Sequence, residues 1–347
     1  MAEQKISIHS ITAPAGAVDG DKMAADFNAG GVIRMSSDTF ISPAPVSTQV
    51  QGTTSGYTSG GLLGGNSNVI DKFPFASDTD ATDVGDLTQS RERMAGASSS
   101  SHGYTSGGGT SSPFLNTIDK FPFSTDTNAS DVGDLAITVR GNSGQNSTTD
   151  GYTTGGQTTP TYVDNMQKFT FSSDSNATDI GELTEARRIG TGNSSTTHGY
   201  HAGGLGPSGV PSYHLIDKFP FSTDQSSSDI AELSASVYNT GPNGQNSDSH
   251  GYVAGGYDND PAGGVGVINI IQKYSFSVDA NSTDVGDLTA TIFGGTGQSS
   301  TSDGYQSGGQ APSYSNKIDK FPFSSDSNAT DVANLTQART GQAGQQV

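Results

Sequence analysis

The chain repeats itself six times, and that periodicity limits its fold more than any other feature. A Gly-Tyr pair with Gly-Gly close behind starts at Gly56, Gly103, Gly151, Gly199, Gly251 and Gly304, at intervals of 47, 48, 48, 52 and 53 residues. A second marker, IDKFPF, follows at Ile70, Ile118, Ile216 and Ile318, with variants starting at Met166 and Ile271. A third, of the type ATDVGDL, ends at Leu87, Leu135, Leu183, Leu233, Leu288 and Leu335. Beyond these leucines comes another glycine, at Gly96, Gly144, Gly192, Gly297 and Gly344, and the fourth repeat reaches its equivalent, Gly244, after two extra residues. Several markers recurring in one order define a repeat architecture.

Composition alone points elsewhere. Of 347 residues, 31% are apolar and 47 are glycine, and the formal net charge is −19. Such a chain reads as low-complexity, and its self-repulsion opposes compaction. The period reverses that reading, because each unit supplies the same small apolar set to bury against its neighbours. In the first repeat the set is Tyr57, Ile70, Phe73, Phe75, Val84 and Leu87.

Each unit reads as four short strands: a stretch such as RERMAGASSS, then GYTSGG, then KFPF, then the region around DVGDL. Proline at the centre of KFPF has no N–H for a ladder, so one-sided pairing or a bulge is expected there. Segments such as SDTNATD between the third and fourth strands carry turn-forming residues. Helix-period apolar patterns are absent from the repeats. Four strands in about fifty residues is the spacing of a propeller blade. The last repeat ends in LTQARTGQAGQQV, a first strand without a second, while the first Gly-Tyr lacks an ordinary first strand. Pairing those fragments would remove open edges. The expected fold is therefore all-β: a six-bladed propeller over residues 47–347, closed by the C-terminal strand on the first repeat. Residues 1–46 do not match the repeat and form a separate N-terminal arm, with possible strands at Lys5–Ile11 and Val32–Met35. It is read as an anchoring or docking segment, with an ordered flap on the propeller or a flexible tail as the alternatives.

Charge and composition also limit function. With 35 acidic residues against 16 Lys and Arg, the chain is ill-suited to nucleic-acid phosphates. No apolar run reaches membrane-spanning length, and the start MAEQKISIHSITAPAG lacks the pattern of a secretion signal. Zero cysteines exclude a disulfide framework and thiolate chemistry. Synthesis in a cytoplasm is expected, with any release by another route, such as lysis of a virus-infected cell.

The pattern resembles the kelch repeat. Arg91, Arg187 and Arg339 stand where the kelch arginine would be, and Tyr-Thr-Ser-Gly-Gly at Tyr57 and Tyr104 matches its strand ending in paired glycines. The resemblance spans residues 51–347, with one departure: the usual fourth-strand Trp is replaced by Val84, Val132, Ile180, Ile230, Val285 or Val332. The IDKFPF and ATDVGDL segments also resemble kelch-type repeats of virion structural proteins in marine and cyanobacterial phages. Some kelch-related propellers carry a copper radical site that needs a Tyr–Cys cross-link, which this cysteine-free chain cannot form. No GxSxG, HExxH or Walker-type sequence occurs either, so an enzyme is not expected.

Three sets of residues invite a functional reading. The acidic turns, such as Asp78 to Asp83 and Asp174 to Asp179, space oxygen ligands as calcium sites do; the competing reading is a turn capped by its own side chains. The residues before each Gly-Tyr are Ser55, His102, Asp150, His198, His250 and Asp303, either a polar ring or turn formers. The variable segments between second and third strands carry Phe114, Tyr162, Tyr213, His214, Tyr257 and Tyr314, which are candidate ligand- or partner-binding residues or else anchors of their own loops. The fifth repeat's long YDNDPAGGVGVIN loop is the leading candidate among these.

The resemblance implies a non-enzymatic phage virion structural protein, with the propeller displayed on a fibre, neck, tail or capsid. Its partners would be other virion proteins through the N-terminal arm and a host-surface glycan or a neighbouring virion protein on the propeller, with neither nucleic acid nor membrane insertion. The main alternative is a cellular kelch-type interaction adaptor, and a third reading is a propeller lyase or hydrolase using carboxylates and tyrosines on the loop face.

Overall fold

Alternation of small or polar residues with aromatics, broken by glycine and Asp/Asn turns, produces short strands of two to nine residues. The structure, a computed structural model, describes residues 51–347 except 110–112, 208–212 and 261–263. The expected N-terminal arm lies outside the described residues. Among the described residues there is no helix, and six four-stranded antiparallel sheets account for nearly all strands.

Sheets I to VI follow the repeats. In sheet II the order is Ala95–Ser98, His102–Ser106, Thr117–Pro122 and Ser130–Asp134, each paired with the next. Sheets III, IV and VI share this arrangement, starting at Ser143–Asn146, Thr191–Ser194 and Thr296–Ser299, and sheet V starts at Gln245–Asn246. Sheet I differs in chain order, because its first strand is Ala343–Gln346, which pairs antiparallel with Ser55–Leu62. First strands are shorter than expected. Within RERMAGASSS only Ala95–Ser98 is strand, because Arg93 takes a φ of 59°, which ends the extended backbone there. The third strand ends at its proline, as at Pro74 and Pro122, so no central ladder bond is lost. The bulge falls instead opposite the fourth strand, where Val84 is the extra residue between Ile70↔Gly85 and Asp71↔Asp83.

The core lies between sheets. Tyr57 of sheet I packs on Phe123 of sheet II with ring centroids 4.8 Å apart. The same contact recurs as Tyr104–Phe171 at 4.7 Å, Tyr152–Phe221 at 4.8 Å, Tyr200–Phe276 at 4.8 Å, Tyr252–Phe323 at 5.0 Å and Tyr305–Phe75 at 4.9 Å. Each such pair adds roughly 0.5–1.5 kcal/mol beyond its burial. The glycine before each Tyr makes room for the third strand's first aromatic: a Cβ on Gly103 would lie 2.3 Å from the Phe121 ring.

The acidic turns join neighbouring repeats. Lys72 pairs with Asp126 at 3.2 Å, Lys120 with Asp174 at 2.8 Å, Lys218 with Asp279 at 2.8 Å and Lys320 with Asp78 at 2.6 Å. Lys168–Asp224 and Lys273–Asp326 complete the series. Because the carboxylates are half-exposed, each pair contributes at most about 1 kcal/mol. The middle residue of each turn reaches the preceding fourth strand: Asn128 Oδ1 accepts from the Asp86 N–H and Asn176 Oδ1 from the Asp134 N–H.

A second contact set runs through the first strands. A Cβ on Gly144 would lie 2.1 Å from the Gly96 carbonyl oxygen, one on Gly192 2.1 Å from that of Gly144, and one on Gly96 2.2 Å from that of Gly344. Backbone approach this close is the reason for the glycine after each leucine. The two extra residues of the fourth repeat fall here as well. Asn243 donates from Nδ2 to the Gly96 carbonyl at 2.8 Å and the Gly144 carbonyl at 3.3 Å and accepts on Oδ1 from the Gly344 N–H at 3.2 Å, so its side chain bonds first strands from three other sheets.

Candidate binding face

Because successive strands are antiparallel, the loop entering each first strand and the loop leaving each second strand lie at the same sheet end. Isolated bridges tie them together: Glu92↔Gly109, Arg140↔Gln157, Arg188↔Leu205 and Phe293↔Gln310. This loop end carries every arginine among the described residues. Their placement follows from the loop backbone.

That backbone forms a cycle of hydrogen bonds. The Gly141 N–H donates to the Arg93 carbonyl at 2.8 Å, Ile189 to Gly141 at 2.6 Å, and Asn239 to Ile189 at 2.7 Å. Gly294 then donates to Asn239 at 2.5 Å, Gly341 to Gly294 at 2.7 Å, and Arg93 to Gly341 at 2.6 Å. All six residues have φ between 51° and 71°. Three are non-glycine, and each pays a conformational cost that the cycle offsets. The space at its centre is about 20 Å³, and the space among the first-strand glycines and Asn243 about 10 Å³. Neither holds more than about one water.

Around this cycle the arginines divide into two groups. Arg91, Arg187 and Arg339 are fully buried, each against a third-strand aspartate: Asp119 at 2.9 Å, Asp217 at 3.3 Å and Asp71 at 3.1 Å. Arg91 also donates to the carbonyls of Thr105 and Thr117. Arg91, Arg187 and Arg339 are therefore internal braces. Arg93, Arg140 and Arg188 form the other group. Arg140 Nη2 lies 2.7 Å from Glu92 Oε1, and Arg93 Nε 3.8 Å from Glu92 Oε2. Burial first, and then the neighbouring Arg140 and Arg188 guanidiniums, hold Arg93 below the ordinary arginine range, against the pull of Glu92.

The expected loop aromatics meet these arginines. Arg140 sits over the Phe114 ring at 5.9 Å, and Arg188 over Tyr162 at 4.9 Å. Arg187 lies 5.8 Å from the centre of Tyr213. Such cation–π contacts contribute roughly 0.5–2 kcal/mol. His214 bonds through Nδ1 to the Leu233 carbonyl at 3.0 Å. Tyr257 lies in an added three-stranded sheet formed by Val237–Tyr238, Tyr257–Asp260 and Gly264–Val267, with its ring 5.3 Å from Tyr238. Tyr314 opens the third strand of sheet VI and lines a cleft of about 280 Å³. All six residues are half-buried. The structure thus brings Phe114 and Tyr162 to Arg140 and Arg188, and sets Tyr257 and Tyr314 in separate places on the loop end. Sequence reasoning missed Arg93, Arg140, Arg188 and Tyr238; the last three stand five residues after a repeat leucine and Arg93 six, which was the available signal.

The residues before each Gly-Tyr cap turns. The Nδ1 atoms of His102, His198 and His250 each lie 2.8 Å from the hydroxyl of the preceding residue, and Asp150 and Asp303 accept from the hydroxyls of Thr149 and Ser302. Burial lowers all three histidine pKa values. Among the described residues no group of three or more His, Cys, Asp or Glu is arranged to hold a metal ion. A scan against protein-family models finds no match to this sequence, and neither does a search of curated proteins.

Proposed function

We propose that the six sheets are the blades of a closed kelch-like β-propeller, and that the molecule is a non-enzymatic virion structural protein whose loop face binds an acidic host-surface glycan. Three observations support the closed propeller. The Tyr–Phe contacts, the Lys–Asp pairs and the loop-backbone cycle each run through all six repeats and return from the sixth to the first. The small central spaces, about 20 Å³ and 10 Å³, leave no room for a ligand there, which turns the binding reading to the loop face.

The observation that carries the binding reading is charge segregation. In a chain of net charge −19, Arg93, Arg140 and Arg188 gather beside Phe114 and Tyr162 with one carboxylate, Glu92, among them. Guanidiniums recognise carboxylates and sulfates in bidentate fashion, and aromatic rings pack on sugar faces. The virion assignment rests on the resemblance of the IDKFPF and ATDVGDL segments to phage repeats, and anchoring is assigned to residues 1–46.

The experiment is a binding comparison of acidic and neutral oligosaccharides with the wild type and with Arg93→Gln/Arg188→Gln, alongside mass spectrometry of purified phage particles. Preferential acidic-glycan binding lost in the double variant, with the protein at fixed stoichiometry in particles, supports the proposal. Equal binding of neutral sugars removes the ligand reading. Absence from particles removes the virion reading in favour of a cellular adaptor.

A further inference from the structure

Comparing the six sheets position by position exposes one mismatch. Four residues after each repeat leucine stand Arg91, Val139, Arg187, Val237, Ile292 and Arg339. Facing them on the third strands of the same sheets are Asp119, Gln167, Asp217, Gln272, Asp319 and Asp71, each following the conserved-pattern Ile or Met. Arginine comes with aspartate in sheets I, II and IV, and valine comes with glutamine in III and V. Sheet VI alone combines an aliphatic residue, Ile292, with an aspartate, Asp319.

Asp319 keeps part of the shared environment. Like Asp119 and Asp217 it accepts from the backbone N–H and hydroxyl of a threonine, here Thr289, at 2.8 Å each. It is 6% exposed, and no guanidinium reaches it. The cleft of about 280 Å³ opens here, lined by Ile292, Gln306, Tyr314, Lys317 and Asp319 among others. Its volume is at the lower end of ligand pockets, which run roughly 300–1,000 Å³, and suits one side chain or a small molecule. Gln306 and Lys317 occupy the register positions of Thr105 and Thr117, whose carbonyls accept from Arg91 in sheet II. Lys317 is directed to Asp331, with Nζ 3.0 Å from its carboxylate.

We propose that this cleft is a binding site for a guanidinium group, supplied by a partner's arginine side chain or by a small guanidino compound. The incoming group takes the place that Arg91, Arg187 and Arg339 fill in their own sheets, with Asp319 as counter-ion and the Gln306 and Lys317 carbonyls as further acceptors. A planar five-donor guanidinium matches that acceptor set better than an ammonium. Burial raises the Asp319 pKa, against the Thr289 hydrogen bonds and the nearby Lys317 charge, which lower it. The site is distinct from the Arg93 cluster and stands independently of what that cluster binds.

The test is calorimetric titration of the full chain with methylguanidinium and with capped Gly-Arg-Gly, using capped Gly-citrulline-Gly as the neutral control. Two variants accompany it: Ile292→Arg, which restores the pair used in three other sheets and fills the cleft, and Asp319→Asn, which keeps the side-chain shape. Binding of both cationic probes by the wild type, weakened roughly tenfold to a hundredfold in the variants, is the expected result. Tighter binding of the peptide marks a protein arginine as the source, and equal binding a small guanidino compound. Failure of the wild type to bind either probe, binding of the citrulline peptide equal to that of arginine, or undiminished binding by either folded variant overturns the proposal.

Discussion

The backbone N–H of Arg93 donates to the carbonyl oxygen of Gly341 at 2.6 Å. This bond joins the loop before sheet II to the last loop of the chain, and completes the cycle of six that includes Gly141, Ile189, Asn239 and Gly294. Contacts of this kind have high sequence separation, so their stabilisation is gained only once the whole array is in place. Local damage to the cycle or to the first-strand glycines should therefore be felt globally.

Gly192→Ala tests the close approach of first strands. Its Cβ would meet the Gly144 carbonyl oxygen at 2.1 Å, a backbone atom that cannot swing aside. A loss of about 1–3 kcal/mol is expected. Gly65→Ala, whose Cβ would meet nothing within 4 Å, should leave thermal unfolding nearly unchanged.

The buried pairs make a sharper case. Arg91 and Asp119 have side chains with 0% exposure, so Arg91→Val strands a carboxylate and should cost about 3–5 kcal/mol. Adding Asp119→Gln reproduces the Val139 and Gln167 combination of sheet III and should recover most of the loss. A denaturant-unfolding double-mutant cycle reads the coupling.

Stability should fall at high pH for a stated reason. Burial pushes Tyr57, Tyr152, Tyr200 and Tyr305 up to about 12. Their folded pKa values lie above the unfolded value of about 10, so the stability they confer is complete below that pH. It is lost as pH rises toward about 12. Tyrosine ionisation, followed by ultraviolet absorbance, should coincide with loss of near-ultraviolet circular dichroism. The acid side has the opposite sign: burial, then Arg187, lowers fully buried His201 well below its usual range, and that stability is lost as pH falls.

Much of the sheet architecture was legible because it is repeated. Six Gly-Tyr, six aromatic strands and six leucines located the sheets, and the incomplete first strand at the C-terminus pointed to its pairing with Ser55–Leu62. The lysine–aspartate pairs were hidden because Lys120 finds Asp174 in the next unit rather than its own. Asn243 looked like a length irregularity, and only the approach of first strands from other sheets gives its amide four backbone partners. Loop tyrosines were conspicuous as residue types, yet their arginine partners come from positions that composition does not mark. The coupling of Arg with Asp and Val with Gln was present in the aligned repeats, but its meaning required knowing which strands face each other.

A designed disulfide tests ring closure most directly, since the chain has no cysteine of its own. Ser59 and Ala343 are register partners across the antiparallel pair of sheet I, a spacing of roughly 4.5–5.5 Å between Cα atoms that a disulfide can span. Ser59→Cys/Ala343→Cys, purified reduced and then oxidised under native conditions, should form an intramolecular bond in nearly every molecule, seen by mass spectrometry of the linked peptides, and should raise the unfolding temperature. Thiols that stay free in the folded monomer, or that link only between molecules, would contradict a ring closed by its own C-terminal strand.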